Sequence, residues 1–128
     1  TQNETLWEIA SQIIAEQTKS IENMKSILCS CTRLENPPEA VCRYQRHMND
    51  IMSAMFDRMR RARATRRVDC DFLREMLPHH KGAVEMASIT LQSDICPELV
   101  PILQAIITSQ ETGIAQMEAL AASLRCRC

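Results

Sequence analysis

Sulfur and imidazole side chains recur along this sequence at spacings that a helix would bring together. Four of the eight methionines stand at positions 48, 52, 55 and 59, within about 60° of arc at 100° per residue. Two adjacent histidines follow, with a methionine on either side of the pair. Thioether and neutral imidazole are the ligands that copper favours, above all Cu(I), because a soft cation prefers soft donors. The candidate metal ligands, including one histidine beside the methionine row, are Met48, Met52, Met55, Met59, Met76, His79, His80, Met86 and His47.

Each of these residue types also has an ordinary explanation. Unbranched methionine fills irregular gaps in a hydrophobic core, and a methionine row by itself is most often core. A buried histidine is often only hydrogen-bonded, here with Gln110 as the expected partner. Gln110 could equally orient an imidazole that binds a metal. Thioethers and imidazoles on facing helices favour the metal site for His79 and His80, whereas the two explanations weigh equally for His47.

Harder metal ions fit the sequence poorly. A di-iron or di-manganese bundle needs Glu-x-x-His on two of its helices, and this motif is absent from the sequence. Calcium and magnesium need clustered oxygen ligands, whereas the acidic residues fall mostly on predicted outer faces. Zinc remains a less favoured alternative to copper. His79 and His80 point about 100° apart on a helix, so we expect two separate sites unless a kink at Pro78 turns both rings together.

Length and composition indicate a single domain over residues 1–128. The chain is 45% hydrophobic and 24% charged, which is ordinary globular usage, and it is long enough to bury its own core. A net charge of −1 gives no field that would attract nucleic acid. No apolar stretch approaches the roughly 20 residues of a membrane span. The sequence therefore predicts neither a nucleic-acid partner nor a membrane span.

A run of arginines between Arg58 and Arg67 is the exception to this balanced charge. Such a patch could bind phosphate or an acidic partner. We favour a structural role, because arginine near the C-terminus of a helix complements the helix dipole.

Four amphipathic helices are predicted to position the candidate ligands. Apolar residues at intervals of three and four predict helices over about 4–33, 38–62, Asp69 or Asp71 to 91, and 93–98 to 124. Their predicted inward positions include Leu28 in the first helix and Val41 in the second. Pro37 and Pro38 separate these two helices. Short connections favour an all-α, antiparallel up-down four-helix bundle.

Counting residues away from each predicted turn aligns the helices with one another. A turn centred near Thr65 places Met52 beside the two histidines and Met55 beside Met76. The other end of the bundle brings Gln110 level with the histidine pair. The methionine row and the histidine pair are therefore predicted to meet inside the bundle.

One stretch of the sequence is similar to a known family. Residues 71–87, and above all the run Met-Leu-Pro-His-His-Lys-Gly-Ala, resemble the signature of the domain-of-unknown-function 305 family. Residues 44–59 and 97–117 look like that family's methionine-rich helix and its final helix. The resemblance covers about residues 41–125 and leaves an extra N-terminal helix, about 4–33, unmatched.

The resemblance implies a ferritin-like helical bundle, usually exported, whose better-understood members bind copper through methionine and histidine and support copper resistance. It assigns ligand roles to Met76, His79, His80 and Met86, with the methionine row as further donors. Copper-handling relatives often have more histidines in the methionine-rich helix, where this chain has only His47, so the capacity for copper is expected to be low.

The seven cysteines are not part of the family signature. The bundle would gather Cys29, Cys31, Cys42 and Cys96 at one end, and Cys70, Cys126 and Cys128 at the other. We expect one disulfide from a cysteine of the first helix to Cys42 or Cys96, and one from Cys70 to Cys126 or Cys128. Alternatively, each Cys-x-Cys pair binds Cu(I) through thiolates. Export would favour the disulfides.

These expectations favour a copper-binding protein that sequesters or transfers Cu(I) or Cu(II) and is not an enzyme. It would work outside the cytoplasm, in the periplasm, in secreted form or at the cell surface, as a mature chain without its signal peptide. The alternative is a disulfide-stabilised structural or adaptor bundle without a metal function. A redox enzyme is disfavoured because the sequence offers no recognisable base, nucleophile or cofactor loop. The odd number of cysteines leaves a homo-oligomer open.

Overall fold

Four α-helices make up most of the computed structural model, which describes residues 1–126. They are α1 (Glu4–Ser30), α2 (Pro38–Arg61), α3 (Val68–Leu91) and α4 (Val100–Ser123), with a short 3-10 helix, Pro97–Leu99, before α4. The described residues contain no strand. Helix α3 packs on α4 and on α2, while α1 packs mainly on α4. The predicted all-α bundle is confirmed.

Local sequence signals set the helix ends. The Asn3 side chain accepts a hydrogen bond from the Leu6 N–H at 2.9 Å and so caps α1. Pro38 occupies the first turn of α2, where its missing N–H has no intrahelical partner to lose. The last turn of α2 contains Arg58, Arg60 and Arg61, as expected for side chains that complement a helix dipole.

The largest cluster of buried side chains joins α1, α3 and α4. It consists of Leu6, Ile9, Leu73, Met117 and Leu120. In α2 only Met55 is fully buried, because this helix packs mainly on a single neighbour, α3. The prediction that Leu28 and Val41 point inward is wrong, since they are 79% and 38% exposed.

Helix α3 continues through Pro78 from Val68 to Leu91. Proline lacks an N–H and cannot donate to the carbonyl oxygen of Arg74, one turn earlier. Two residues after the proline, the His80 ring makes an additional bond inside the helix, from Nδ1 to the Met76 carbonyl oxygen at 2.9 Å. The helix is therefore continuous through Pro78.

Two disulfides link the helices at opposite ends of the bundle. Cys31 pairs with Cys96 and Cys70 pairs with Cys126, with sequence separations of 65 and 56 residues. Both pairings are among the expected alternatives, and they engage one sulfur of each Cys-x-Cys pair. Cys29 and Cys42 carry exposed thiols. The predictions for Cys128 concern a residue outside the described range.

No helix within residues 1–126 combines the length and apolar character that crossing a membrane requires.

Candidate metal site

His80 is held between α3 and α4 with a defined ring orientation. It is 1% exposed, and its Nδ1 lies 2.9 Å from the carbonyl oxygen of Met76. A carbonyl oxygen can only accept, so Nδ1 carries the proton and a neutral ring keeps its lone pair on Nε2. On the α4 side, a Cβ added to Gly113 would lie 3.3 Å from His80 Cδ2 and 3.5 Å from Nε2. The absence of a side chain at Gly113 therefore gives the imidazole its space.

The surroundings of His80 favour its neutral form. Burial lowers the pKa of His80 from its ordinary value of 6.5, although the hydrogen bond with Met76 opposes this change. The neighbouring His79 lowers the pKa further, and Glu16 raises it. Neutral imidazole is the form that binds a metal ion, so the Nε2 lone pair is present at neutral pH.

We expect the metal-free protein to lose stability as the pH falls from about 7.5 to about 5. Unfolded His80 takes up a proton near its ordinary pKa of 6.5, whereas the folded protein resists protonation. The unfolded state therefore binds more protons below that pH. This contribution to the free energy of unfolding is complete above the unfolded-state pKa and is lost as the pH falls through it towards the lower folded-state pKa.

Thermal unfolding measured across this pH range checks the expectation. His80→Gln should show a shallower loss of melting temperature than the wild type, while His47→Gln, at an exposed position of α2, should keep the wild-type slope. An unchanged slope in His80→Gln would contradict the assignment.

The methionine row reaches α3 through Met55. This side chain is 4% exposed and packs on Gly82, where an added Cβ would lie 2.6 Å from Met55 Sδ and 2.9 Å from Cγ. The predicted neighbour of Met55 was Met76, which instead packs against the cluster between α1, α3 and α4. Met55 Cβ itself would lie 3.1 Å from a Cβ added at Gly82, so α2 meets α3 six residues farther along α3 than the alignment counted from Thr65 predicts.

Two further candidate ligands lie on the same face of α3 as Gly82. His79 precedes Gly82 by three residues and Met86 follows it by four, spacings that place Cβ atoms about 5–6 Å apart on a helix. At 100° per residue the three positions fall within about 60° of arc, whereas His80 lies about 160° from Gly82. The Met55 thioether therefore packs between the helical positions of His79 and Met86. The His79 and His80 rings themselves lie close together, with centroids 5.9 Å apart.

His79 also borders a cavity of about 200 Å³ between α1, α3 and α4. Glu16, Met24 and Gln110 line the same cavity. His79 Nδ1 and Gln110 Oε1 are buried, and neither has a hydrogen-bond partner among the described residues. Gln110 thus lies near the histidine pair, as predicted, but without a direct hydrogen bond to either ring. No protein group within the described residues therefore competes with a ligand for His79 Nδ1.

The remaining candidate ligands differ in their surroundings. Met48, Met52 and Met59 are half-buried along α2, and Met86 is half-buried on α3. His47 is exposed on α2. The structure thus brings Met55 onto α3 at Gly82, within helical spacing of His79 and Met86. Met76 and His80 lie on the side of α3 towards α4, and the His79 ring borders α4 as well.

The sequence interpretation missed the two glycines as parts of this arrangement. Gly82 and Gly113 are the only glycines in the chain, and both stand inside helices. A glycine within a helix costs roughly 0.5–1 kcal/mol relative to alanine. Two glycines inside predicted helices, both near candidate ligands, were therefore the signal in the sequence that these positions need space.

The donor set narrows the metals that could bind. Among residues 1–126 there is no group of three or more His, Cys, Asp or Glu side chains that could hold a metal ion. A site in this part of the protein would therefore need methionine sulfur. Such donors fit Cu(I), whereas zinc takes imidazole, carboxylate or thiolate ligands.

We expect Gly82→Ala to destabilise the protein. The new Cβ would overlap Met55 Sδ and Cγ and would lie 3.1 Å from Met55 Cβ, which cannot move without α2. Overpacking of a core costs about 1–3 kcal/mol, which exceeds the roughly 0.5–1 kcal/mol that alanine gains over glycine in a helix. Chemical denaturation should show a net loss of about 1–2 kcal/mol.

Gly113→Ala provides the matched control, because its Cβ contacts the His80 ring at 3.3 Å and needs only a small shift. Its free energy of unfolding should stay within about 1 kcal/mol of the wild type. Equal effects of the two substitutions would contradict the close approach of α2 to α3 at Gly82.

Comparison with known proteins supplies the family. The family described as Domain of unknown function (DUF305) matches residues 1–121. This match includes α1, which the resemblance based on sequence motifs had left outside. No curated protein and no solved structure shows significant similarity to the chain. The chain belongs to the domain-of-unknown-function 305 family.

Proposed function

We propose that this protein binds copper as Cu(I) through His79, Met55 and Met86, and that it sequesters or transfers the ion without catalysing a reaction. The observation that supports this most strongly is the packing of the Met55 thioether on Gly82, at helical spacing from His79 and Met86. Nδ1 of His79 is buried without a hydrogen-bond partner, as expected for an atom whose partner is a ligand.

The chemistry of these groups favours the monovalent ion. Two thioethers and one imidazole are neutral ligands, so the bound ion keeps its full charge inside the protein. A monovalent ion therefore costs less to bury than a divalent one. Thioether sulfur is a soft donor and prefers Cu(I) to harder divalent ions. His80 and Met76, on the side of α3 that faces α4, form a second and weaker candidate site.

The rest of the methionine row suits movement of the ion into and out of the protein. Met48 and Met52 precede Met55 and Met59 follows it at helical intervals, and all three are only half-buried. A copper ion could therefore exchange one thioether for the next along α2. This arrangement supports sequestration or transfer rather than a closed structural site.

The compartment that we propose is extracytoplasmic: the periplasm, the cell exterior or the cell surface. Its support is the two disulfides, Cys31 with Cys96 and Cys70 with Cys126, because such bonds persist in oxidising environments and are rare in the cytosol.

Anaerobic titration of the purified protein with Cu(I), in competition with a colorimetric Cu(I) chelator, tests the proposal. We expect saturable uptake of one or two ions per chain, with native mass spectrometry giving the number bound. Zn²⁺ titrated in parallel should bind at least tenfold more weakly, since the donors are soft. Failure to take Cu(I) from the chelator, or preference for Zn²⁺, would overturn the copper assignment.

A further inference from the structure

Helix α1 carries a row of large apolar side chains that the rest of the chain leaves exposed. Trp7, Ile14, Ile21 and Leu28 are 65%, 68%, 48% and 79% exposed. They stand seven residues apart over the whole helix, so successive members drift by only about 20° around the axis. A seven-residue apolar repeat is the pattern with which one helix packs along another helix.

We propose that this row is a dimer interface, in which α1 packs antiparallel on α1 of a second copy of this chain. The antiparallel arrangement is isologous, since a two-fold axis near residue 17 or 18 brings the same surface of both copies together. It sets Trp7 of one copy level with Leu28 of the other and Ile14 level with Ile21. All four apolar residues of each helix are then covered at once.

An apolar groove lies where this arrangement places the tryptophan. The groove has a volume of about 530 Å³ and includes Ile21, Leu28 and Leu34 in its lining. Trp7 of the second copy would lean towards its own N-terminus, and hence past Leu28 towards Leu34. An exposed tryptophan on one copy and an apolar groove at the matching level of the other are complementary, and tryptophan is a residue that often dominates binding energy.

Charges beside the row fit the antiparallel arrangement as well. Residues 1–18 contain Glu4, Glu8 and Glu16 but no lysine or arginine, whereas the second half of the helix contains Lys19 and Lys25 together with Glu22. Glu8 and Lys25 are both exposed on the same flank of the apolar row. In the antiparallel pair, Glu8 of one copy lies about two residues, or roughly 3 Å along the axis, from the level of Lys25 of the other. In a parallel pair, each glutamate would instead lie level with the same glutamate of the other chain.

Sedimentation of the metal-free protein over a range of concentrations tests the dimer independently of copper. We expect a concentration-dependent dimer. Fluorescence of Trp7, the only tryptophan, should shift to shorter wavelength as the dimer forms. Trp7→Ala should weaken dimerisation on the order of thirtyfold. Ile14→Glu with Ile21→Glu should abolish it while leaving the helicity of the monomer intact, since both positions are exposed.

Charge exchange and crosslinking test the orientation. Lys25→Glu should weaken the dimer and Lys25→Glu with Glu8→Lys should restore it, whereas Lys19→Glu, on another flank of α1, should have a smaller effect. With Cys29, Cys42 and Cys128 replaced by serine, Thr18→Cys near the two-fold axis should form a disulfide between copies. Lys25→Cys, whose equivalents lie about 22 Å apart along the axis, should not.

Three results would overturn the proposal. A monomer at about 100 μM would leave no dimer of useful affinity. A dimer that survives Ile14→Glu with Ile21→Glu would use a different surface. A disulfide from Lys25→Cys without one from Thr18→Cys would reverse the orientation.

Discussion

His79→Ala should weaken Cu(I) binding on the order of a hundredfold, because loss of a group that merely orients a ligand already costs 10- to 100-fold. In the proposed site this imidazole is the only nitrogen donor, and its Nδ1 has no other partner among the described residues. Met55→Leu should weaken binding by a smaller factor, since Met86 remains. Leucine keeps the volume of methionine, so the packing on Gly82 changes little. Competition with a Cu(I) chelator measures both effects.

Two further variants make this result specific. His47→Ala removes an exposed histidine from the helix that carries Met55 and should leave the affinity unchanged. His80→Ala with Met76→Leu removes the second candidate site and should lower the number of ions bound, not the affinity of the first. Wild-type affinity in His79→Ala would exclude this imidazole as a ligand. Loss of affinity only in His80→Ala with Met76→Leu would show that Cu(I) binds at His80 and Met76 instead.

The helices were the most predictable feature, because their signals are local. Apolar spacing, Asn3 at the start of α1 and Pro38 at the start of α2 fix the helices within a few residues. Burial was less predictable. The sequence shows that α2 is amphipathic but not how many neighbours it has, and with α3 as its main neighbour Val41 is exposed although it lies on the apolar face.

The candidate site was predictable in composition but not in register. Counting levels from a turn centred near Thr65 set Met55 beside Met76, six residues short of Gly82. Because Met55 Cβ itself would lie 3.1 Å from a Cβ at Gly82, the error lies in the alignment of the two helices and not in the direction of one side chain. The direction of the histidines was predictable, since adjacent residues on a helix point about 100° apart. Both rings nonetheless border α4, and their centroids are 5.9 Å apart.

Cysteine pairing was predictable only as a set of alternatives. Counting residues from the predicted turns placed four cysteines at one end of the bundle and did not distinguish Cys42 from Cys96 as the partner of a first-helix cysteine. The structure selects Cys96, in the segment that leads into α4, as its partner. Whether two cysteines can pair depends on the distance between their Cα atoms and on the direction of their Cβ atoms. Helical spacing fixes these only once the register of the helices is known.

Replacing Cys70 by alanine should lower the free energy of unfolding by about 4 kcal/mol, the entropic value for a loop of this length. The disulfide with Cys126 closes 56 residues, from the first turn of α3 to the end of α4, and therefore restricts much of the unfolded chain. Cys70 is also 1% exposed, so its loss leaves a small gap in the core. Since small domains are stable by only about 5–15 kcal/mol, this is a large fraction of the total.

Cys70 is the better residue to replace, because Cys128 stands two positions after Cys126 in the sequence and could pair with Cys70 in its place. Guanidinium unfolding of the oxidised variant measures the effect, and Cys29→Ala, which removes an exposed thiol, should stay within about 0.5 kcal/mol of the wild type. Reduction of the wild type should destabilise it further than Cys70→Ala does, since it also opens the bond between Cys31 and Cys96. If Cys70→Ala matched the wild type, the unfolded chain would not be restricted by this bond, and the constraint that holds α3 to the end of α4 would have to come from packing alone.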